Sequence, residues 1–406
     1  MTTDIFETVP LDRKEIKQEH LNIAKKERRN IFSWRGQFSP QLIETLISNY
    51  AKKGYIILDP FLGSGTVLYE AGLLQFEAYG TEINPSAFIL SKIYIFINLH
   101  PLQRNELIKI IKEIVEKIYN NHFMKAEMTV DDLDNSIKLQ LINSIHLLNS
   151  YQKIILEALI VLLNFHNNKI TPNILMAVFY KIRQTIVDLP YSRLKLDVYN
   201  SDARRIPIVD NSIDFVVTSP PYINVFNYHQ NYRHSVEALG WDVLSVAKSE
   251  FGSNRKYRGN RFFTVIQYCI DMALTFVELR RLIKHDGHMI FVVGRVSSVN
   301  GTPFYNGKII AEIGTQIANF ILTKRQERVF MNQFGQNIFE DILHFVIDPS
   351  VYTDSAVISK ARHIGKEILY NALTYSPHKE IKLIKTAINK AETVEPSPIY
   401  NNHKED

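Results

Sequence analysis

Cysteine is almost absent from this sequence of 406 residues, in which Cys269 is the only one. A single cysteine excludes a disulfide within the chain and a zinc site built from cysteine pairs. Cys269 lies in an apolar stretch with helical periodicity, residues 265–283. We therefore expect a buried structural thiol.

Long apolar runs are also missing. No run approaches the roughly 20 residues that a membrane-spanning helix needs, and the charged N-terminal segment, residues 12–29, has no apolar core of a signal peptide. These absences predict a cytoplasmic protein without a membrane partner. Hydrophobic residues make up 46% of the chain and charged residues 22%, which is ordinary for a globular protein. The net charge of +5 barely favours a nucleic-acid partner.

Strand and helix patterns alternate in the first quarter of the chain. Residues 55–59 and 77–82 are strand-like, and helical patterns follow each of them at residues 67–74 and 85–99. A further helix, residues 40–52, has proline in its first turn. This order is typical of a parallel sheet covered by helices.

The alternation stops at residue 101 and resumes near residue 196. Apolar residues in between recur at helical spacing only, which predicts an all-helical insertion. Such an insertion is either a packed helical subdomain or a target-recognition element. Strands are then expected at residues 196–202, 213–217 and 288–293, before a final helix and two strands that place one antiparallel strand in the sheet. We expect an irregular segment at residues 223–263 and disorder from residue 393 to the end. The predicted parts are residues 1–100, 101–195, 196–350 and 351–406.

A glycine-rich turn, Asp59-Pro60-Phe61-Leu62-Gly63-Ser64-Gly65-Thr66, follows the first strand. Two glycines let the backbone turn tightly and approach a ligand closely. A dinucleotide fingerprint needs a third glycine where this chain has Leu68, and a phosphate loop needs a lysine that is missing here. The turn therefore fits a nucleoside cofactor without a pyrophosphate, such as S-adenosyl-L-methionine.

Acidic residues end three successive strands. Asp59 ends the first, Glu82 ends the second and can accept from ribose hydroxyls, and Asp202 follows the third and can accept from an adenine amino group. A single acid at a strand end is more often structural. Three beside one glycine turn favour a cofactor pocket.

The pentapeptide Thr218-Ser219-Pro220-Pro221-Tyr222 follows a strand and predicts the chemistry. An exocyclic amine on a base is a poor nucleophile because its lone pair is delocalised into the ring. The Ser219 hydroxyl and the Pro220 carbonyl can accept its protons, Pro221 stiffens the backbone, and Tyr222 can stack on the base. The base has to leave the duplex to reach such a pocket.

On these residues the chain resembles the S-adenosylmethionine-dependent DNA methyltransferases that act on exocyclic amines, over residues 32–99 and 196–347. The Ser-Pro-Pro-Tyr form resembles the cytosine-N4 enzymes. The resemblance implies a Rossmann-like methyltransferase fold, with DNA carrying a flipped base as partner and a cognate restriction endonuclease as a second one. Arg35, Phe38 and Ser39 resemble the segment that closes over the methionine end. The residues expected to bind the cofactor are Arg35, Phe38, Ser39, Asp59, Phe61, Gly63, Ser64, Gly65, Thr66, Glu82, Asp202 and Thr218.

DNA contacts are expected after the pentapeptide, where basic and aromatic residues are frequent. These residues suit phosphate contact and stacking, although a plain solvated loop has the same composition. The candidates are Tyr228, Arg233, Arg255, Lys256, Arg258 and Arg261. No metal is expected, because His229 has no second ligand at metal spacing.

Other functions stay open. An adenine-N6 DNA methyltransferase would use the same groups. An RNA guanine-N2 methyltransferase more often has aspartate at the position of Ser219 and carries an RNA-binding domain. A nucleic-acid-binding module with an inactive pocket would not bind the cofactor. Methylation at cytosine carbon 5 is not expected, because it needs a nucleophilic cysteine, commonly after proline, and Cys269 follows Tyr268.

Overall fold

The computed structural model describes residues 5–23, 25, 27–34, 36–123, 128–166, 169–223, 228–252, 257–332, 334–349 and 356–401. The strands in these ranges are β1 Ile56–Asp59, β2 Glu77–Thr81, β3 Leu196–Tyr199, β4 Ile213–Thr218, β5 Ile283–Gly294, β6 Val296–Val299, β7 Thr302–Tyr305, β8 Phe320–Met331 and β9 Asn337–Ile347. The helices are α1 Ile5–Thr8, α2 Gln18–Asn22, α3 Pro40–Tyr50, α4 Thr66–Leu73, α5 Pro85–Ser91, α6 Pro101–Phe123, α7 Val130–Ser144, α8 Ser150–Leu163, α9 Pro172–Asp188, α10 Arg233–Ala238, α11 Val243–Ser249, α12 Phe263–Leu282, α13 Asn306–Gln316, α14 Val357–Ala372 and α15 Ile381–Asn389.

Seven strands form one mixed sheet in the order β3-β2-β1-β4-β5-β9-β8. Strands β1 to β5 pair in parallel, and β9 runs antiparallel to both β5 and β8. The predicted Rossmann-like methyltransferase fold, with one antiparallel strand, is confirmed. The chain order reverses between β1 and β4, so the carboxyl ends of these strands form the crevice in which α/β proteins bind ligands.

Helices α6 to α9 fill the interval between β2 and β3. Their apolar residues share one hydrophobic core with α4, α5 and one face of the sheet, including Val67, Ile93, Ile111 and Leu159. Helix α8 contacts α5 directly. The insertion therefore packs onto the α/β part, while its role in target recognition and the four-part division of the chain stay predictions.

The C-terminal tail differs from the expectation of disorder. Residues 394–401 pack against α12 and the segment after β3, with Val394, Ser397 and Tyr400 buried. The carboxylate of Asp271 accepts from the Ser397 backbone and hydroxyl, and the Tyr400 backbone donates to Asp202 over 3.0 Å. The prediction is wrong for this segment because buried acids supply it with partners. Residues 402–406 lie outside the described residues.

The secondary structure differs from the prediction in one further place. The segment expected to be irregular contains α10 and α11. The hairpin β6-β7 follows β5, and α2 is the helix that the described part of residues 12–29 forms. Cys269 is fully buried in α12, as expected, and burial raises the pKa of its thiol. Among the helices in the described ranges, none has the length and apolarity to cross a membrane.

A buried arginine joins both ends of the insertion. The Arg104 guanidinium is 1% exposed and donates to the carbonyls of Ile97 and Leu99, before the insertion. It also donates to the carbonyls of Leu189 and Pro190, after α9. A guanidinium carries five N–H donors in one plane, so it can donate to carbonyls at both ends of the insertion.

We expect Arg104→Met to lower the free energy of unfolding by about 3 kcal/mol or more, because several buried carbonyls would lose their donor. Chemical denaturation measures the change. Arg193→Met is the control, because Arg193 is exposed and should change stability by less than about 0.5 kcal/mol. Equal stability of the two variants would contradict this role for Arg104.

Candidate active site

The glycine turn connects β1 to α4 in the way that the sequence predicts. Gly63 and Gly65 have φ of 54° and 93°, in the left-handed region, and Gly65 is the N-cap of α4. A Cβ on Gly65 would lie 2.6 Å from the ring of Tyr94. Only glycine fits there, and the turn can therefore keep its backbone close to a ligand.

Asp59 ends β1 under this turn and is 1% exposed. Its Oδ1 accepts from the Phe61 backbone over 3.0 Å and from the Thr218 hydroxyl over 2.6 Å. Its Oδ2 is buried and has no hydrogen-bond partner among the described residues. Burial raises the pKa of Asp59 to about 7, against the two hydrogen bonds that lower it. A cationic ligand group would supply the missing partner.

Glu82 follows β2, the neighbour of β1. Its two oxygens accept from the backbones of Gly63, over 2.8 Å, and Asn84, over 2.7 Å. Burial raises its pKa to about 7, and the carboxylates of Asp59 and Glu250 raise it further. Glu82 thus holds the glycine turn in place, and its remaining lone pairs can accept hydrogen bonds from a ligand in the pocket.

Asp202 follows β3, and its carboxylate accepts hydrogen bonds from other residues of the protein. Its Oδ1 accepts twice from Arg204, and its Oδ2 accepts from Arg204 and from the Tyr400 backbone. These four bonds use the full acceptor capacity of a carboxylate. Asp202 also lines the pocket, and its contact with an adenine amino group stays a prediction.

One open pocket joins these strand ends to the pentapeptide. Of the expected residues, it is lined by Phe38, Phe61, Gly63, Ser64, Thr66, Glu82, Asp202, Ser219, Pro221 and Tyr228. Asp59 and Thr218 are buried and hydrogen-bonded to each other beneath it.

Of the catalytic candidates, Ser219 and Pro221 line this pocket, and Pro220 and Tyr222 lie beside them in the chain. The hydroxyl of Ser219 lies 3.4 Å from that of Tyr222. The Tyr222 ring packs on Gly294 at the end of β5, where an added Cβ would lie 2.9 Å from Cε2. Pro220 is buried, as Thr218 is. The structure thus brings the predicted base-binding residues together at the carboxyl ends of β4 and β5.

The upstream segment also reaches the pocket. Asn30 accepts from the Thr66 hydroxyl and donates to the Phe38 carbonyl, which ties this segment to the glycine turn. Ser39 is the N-cap of α3, and its hydroxyl is buried without a hydrogen bond in the described ranges. Arg35 lies outside the described residues.

The residues expected to contact DNA do not form one group. Tyr228 lies inside the pocket, where burial raises the pKa of its phenol, rather than on an outer surface. Arg233 pairs with Glu237 at 2.7 Å. Arg258 is exposed and Arg261 partly so, whereas Arg255 and Lys256 lie outside the described residues.

Sequence reasoning missed the pocket residues that come from the end of α11. Glu250 and Phe251 both line the pocket. Glu250 accepts from the backbone of His229 over 2.6 Å and pairs with its Nδ1 over 2.7 Å, and the Phe251 ring meets that of Phe61 edge-on. No local motif marks Glu250 or Phe251, because they reach the site through the fold of residues 228–252.

The described residues fit S-adenosyl-L-methionine in four respects. The orphaned Asp59 Oδ2 suits an ammonium group, and the left-handed glycines leave room for a ligand. The carboxylates at the strand ends complement a sulfonium charge. Apolar side chains from Phe61, Ile83 and Phe251 offer a slot for a purine ring.

Comparison with known proteins gives consistent results. The sequence model of a family described as DNA methylase matches residues 2–92. The Type II methyltransferase M.BsoBI of Geobacillus stearothermophilus is 28% identical over 273 residues, 53% of this chain and 53% of that protein. M.MjaII of Methanocaldococcus jannaschii is 29% identical over 99 residues, 23% of this chain and 18% of that protein.

A relative whose name gives a different substrate also matches. The tRNA (guanine(10)-N2)-dimethyltransferase of Methanothermobacter thermautotrophicus is 39% identical over 70 residues, 17% of this chain and 20% of that protein. The chain therefore spans about half the length of the first of these relatives and about a fifth of the other two.

Solved structures resemble the chain only weakly. A SAM-dependent methyltransferase from Methanosarcina mazei has a TM-score of 0.34 at 10% identity, over 75% of this chain and 98% of that one. The PH0226 protein of Pyrococcus horikoshii has a TM-score of 0.35 at 11% identity, over 79% and 94%. The fold therefore rests on the strand order of the sheet. Over residues 2–92, which include the glycine turn, the chain is similar to the DNA methylase family, and its pocket fits S-adenosyl-L-methionine as the cofactor.

Proposed function

We propose that this protein transfers a methyl group from S-adenosyl-L-methionine to the exocyclic N4 amine of cytosine in DNA. The observation that carries the proposal is the continuity of one pocket, from Gly63 and Glu82 to Ser219. A cofactor bound over the glycine turn would present its methyl group at the pentapeptide. A similar pocket without Ser219 at its end would bind a nucleoside but would lack an acceptor for a base amine.

The acidic floor of the pocket supports a cationic cofactor. Burial raises the pKa of both Asp59 and Glu82, and for Glu82 the carboxylates of Asp59 and Glu250 add to the effect. A ligand that carries a sulfonium and an ammonium group favours their ionised forms. When bound, the cofactor supplies the methyl group, and the chain supplies position and charge.

The pentapeptide prepares the amine. Ser219 and the Pro220 carbonyl accept amino protons, so that the nitrogen lone pair turns toward the methyl group. Tyr222, fixed on Gly294, stacks on the ring. Methyl transfer of this kind depends mainly on positioning, which the rigid proline pair supports.

Cytosine is the proposed target because Ser219 occupies the first position of the motif, as in the cytosine-N4 enzymes. Adenine-N6 transfer is the second candidate, since its amine has the same chemistry. The tRNA-modifying relative makes N2-methylation of guanine a third candidate, over the 70 residues that match. Two Type II methyltransferases among the relatives support a site-specific DNA substrate and a cognate restriction endonuclease as partner.

Arg258 and Arg261 are the described residues that we propose for DNA contact. Both are accessible, and neither forms an ion pair with another described residue. Phosphate contact would give them the partner that they lack. Tyr228 is instead placed to contact a base that has entered the pocket.

We expect the affinity for S-adenosyl-L-methionine to fall about five- to tenfold between pH 7.5 and pH 6. The pKa values of Asp59 and Glu82 are raised to about 7, so both acids become protonated in this window and lose their attraction for a cation. Asp59→Asn should weaken binding at pH 7.5 and flatten this dependence. Isothermal titration calorimetry measures both effects.

Asp286→Asn is the control for this prediction. Asp286 is exposed on β5, and its removal should change neither the affinity nor its pH dependence. A steep pH dependence that survives in Asp59→Asn together with Glu82→Gln would contradict the assigned role of these acids.

We expect Ser219→Ala to lower the rate of methyl transfer about a hundredfold or more, because one preorganised acceptor for the amino protons is lost. Its cofactor affinity should stay close to that of the wild type. Tyr222→Ala should chiefly weaken DNA binding, by about 1–3 kcal/mol of stacking. Single-turnover transfer of a labelled methyl group and calorimetry separate the two effects. Full activity of both variants would overturn the mechanism.

A further inference from the structure

A charged pair lies on the face of the sheet against which Tyr222 packs. Gly294 on β5 pairs with Glu340 on β9, and Glu340 pairs with Arg328 on β8. Directly opposite residues of antiparallel strands point to the same face of a sheet, with Cβ atoms about 5 Å apart. A Cβ on Gly294 would point at the Tyr222 ring, so Glu340 and Arg328 lie on the face that carries this ring.

Electrostatics also place the pair close to Tyr222. The pKa of the Tyr222 phenol is raised by burial and by the charge of Glu340, and it is lowered by Arg328. Gly294, Glu340 and Arg328 therefore form a row that begins at the aromatic ring expected to stack on the base. We call these three residues the edge row.

The Arg328 side chain is only 7% exposed, and its guanidinium lies over the Phe330 ring, 4.5 Å from the ring centre. Its Nε is buried 3.1 Å from Oε2 of Glu340, but the geometry does not make a hydrogen bond. Among the described residues, none accepts a hydrogen bond from this guanidinium. A buried donor without an acceptor is costly, and a ligand that supplies an acceptor would remove this cost.

The edge of the target base offers such acceptors. With the amine held by Ser219 and the Pro220 carbonyl, cytosine continues with N3 and O2, which are both acceptors. Adenine continues with N1 and then a C–H group, so it offers one acceptor on this edge. The planar fork of a guanidinium matches two neighbouring acceptors.

We propose that Arg328, held in place by Glu340, donates hydrogen bonds to N3 and O2 of the flipped cytosine and selects cytosine over adenine. This inference rests on the proposed function and adds the residues that determine its base. The carboxylate of Glu340 balances the guanidinium charge and fixes its orientation. Arg328 is the group that contacts the substrate, and Glu340 is a positioning residue.

The test uses the DNA sequence that the wild-type protein modifies, identified by sequencing treated DNA. Two duplexes are compared, one with the target cytosine and one with an abasic site at that position. Arg328→Met should bind the cytosine duplex roughly tenfold or more weakly than the wild type, because the base contacts are lost. It should bind the abasic duplex as the wild type does, because Arg328 meets only the base.

Matched variants separate this role from a structural one. Arg328→Lys keeps the charge without the fork and should also lose affinity for the cytosine duplex. Glu340→Gln should show a smaller loss on the same duplex. Arg325→Met is the control, since Arg325 lies on the opposite face of β8, where it donates to the Val9 carbonyl. Cofactor affinity and melting temperature should stay unchanged in Arg328→Met.

Equal losses on both duplexes, or no loss on either, would overturn the inference. A wild-type protein that methylates adenine would overturn the selection of cytosine. A wild-type protein that methylates no DNA would remove the proposed function and this inference together. A different result would overturn this inference alone. In that case the wild type is active, and Arg328→Met is equally active and binds the cytosine duplex equally tightly.

Discussion

The hydrogen bond between Thr218 and Asp59 joins the two halves of the site. Asp59 ends the strand that leads into the glycine turn, and Thr218 ends the strand that leads into the pentapeptide. The hydroxyl donates to Oδ1 over 2.6 Å, and both residues are buried. This bond fixes the position of the glycine turn relative to Ser219. A methyl group can be transferred only if the bound cofactor and the target amine are correctly positioned relative to each other.

The same buried carboxylate links stability to ligand binding. Because its pKa is raised to about 7, the folded protein keeps Asp59 protonated at pH values where the unfolded chain has lost the proton. The stabilising effect is complete below about pH 4 and is lost as the pH rises through about 7. A bound cation offsets that loss. The buried acid therefore lowers the stability of the free protein above about pH 7 and attracts a positively charged cofactor.

Much of the fold and part of the site could be predicted from local sequence. Alternating strand and helix patterns predicted the parallel sheet, and glycine spacing predicted the turn, because both depend on neighbouring residues. The pairing of Asp202 with Arg204 and Tyr400 could not be predicted, since it depends on where the C-terminal tail packs. Glu250 and Phe251 were missed for the same reason. Residues distant in sequence become partners only through the tertiary fold.

The central claim is that one pocket serves both the cofactor and a cytosine amine. The most direct measurement is incubation of the wild-type protein with DNA and isotope-labelled S-adenosyl-L-methionine, followed by digestion to nucleosides and mass spectrometry. The account predicts labelled N4-methylcytosine, with about a hundredfold less label when Ser219→Ala replaces the wild type over the same reaction time. Label in N6-methyladenine would contradict the assignment of the base, and unlabelled DNA would contradict the claim as a whole.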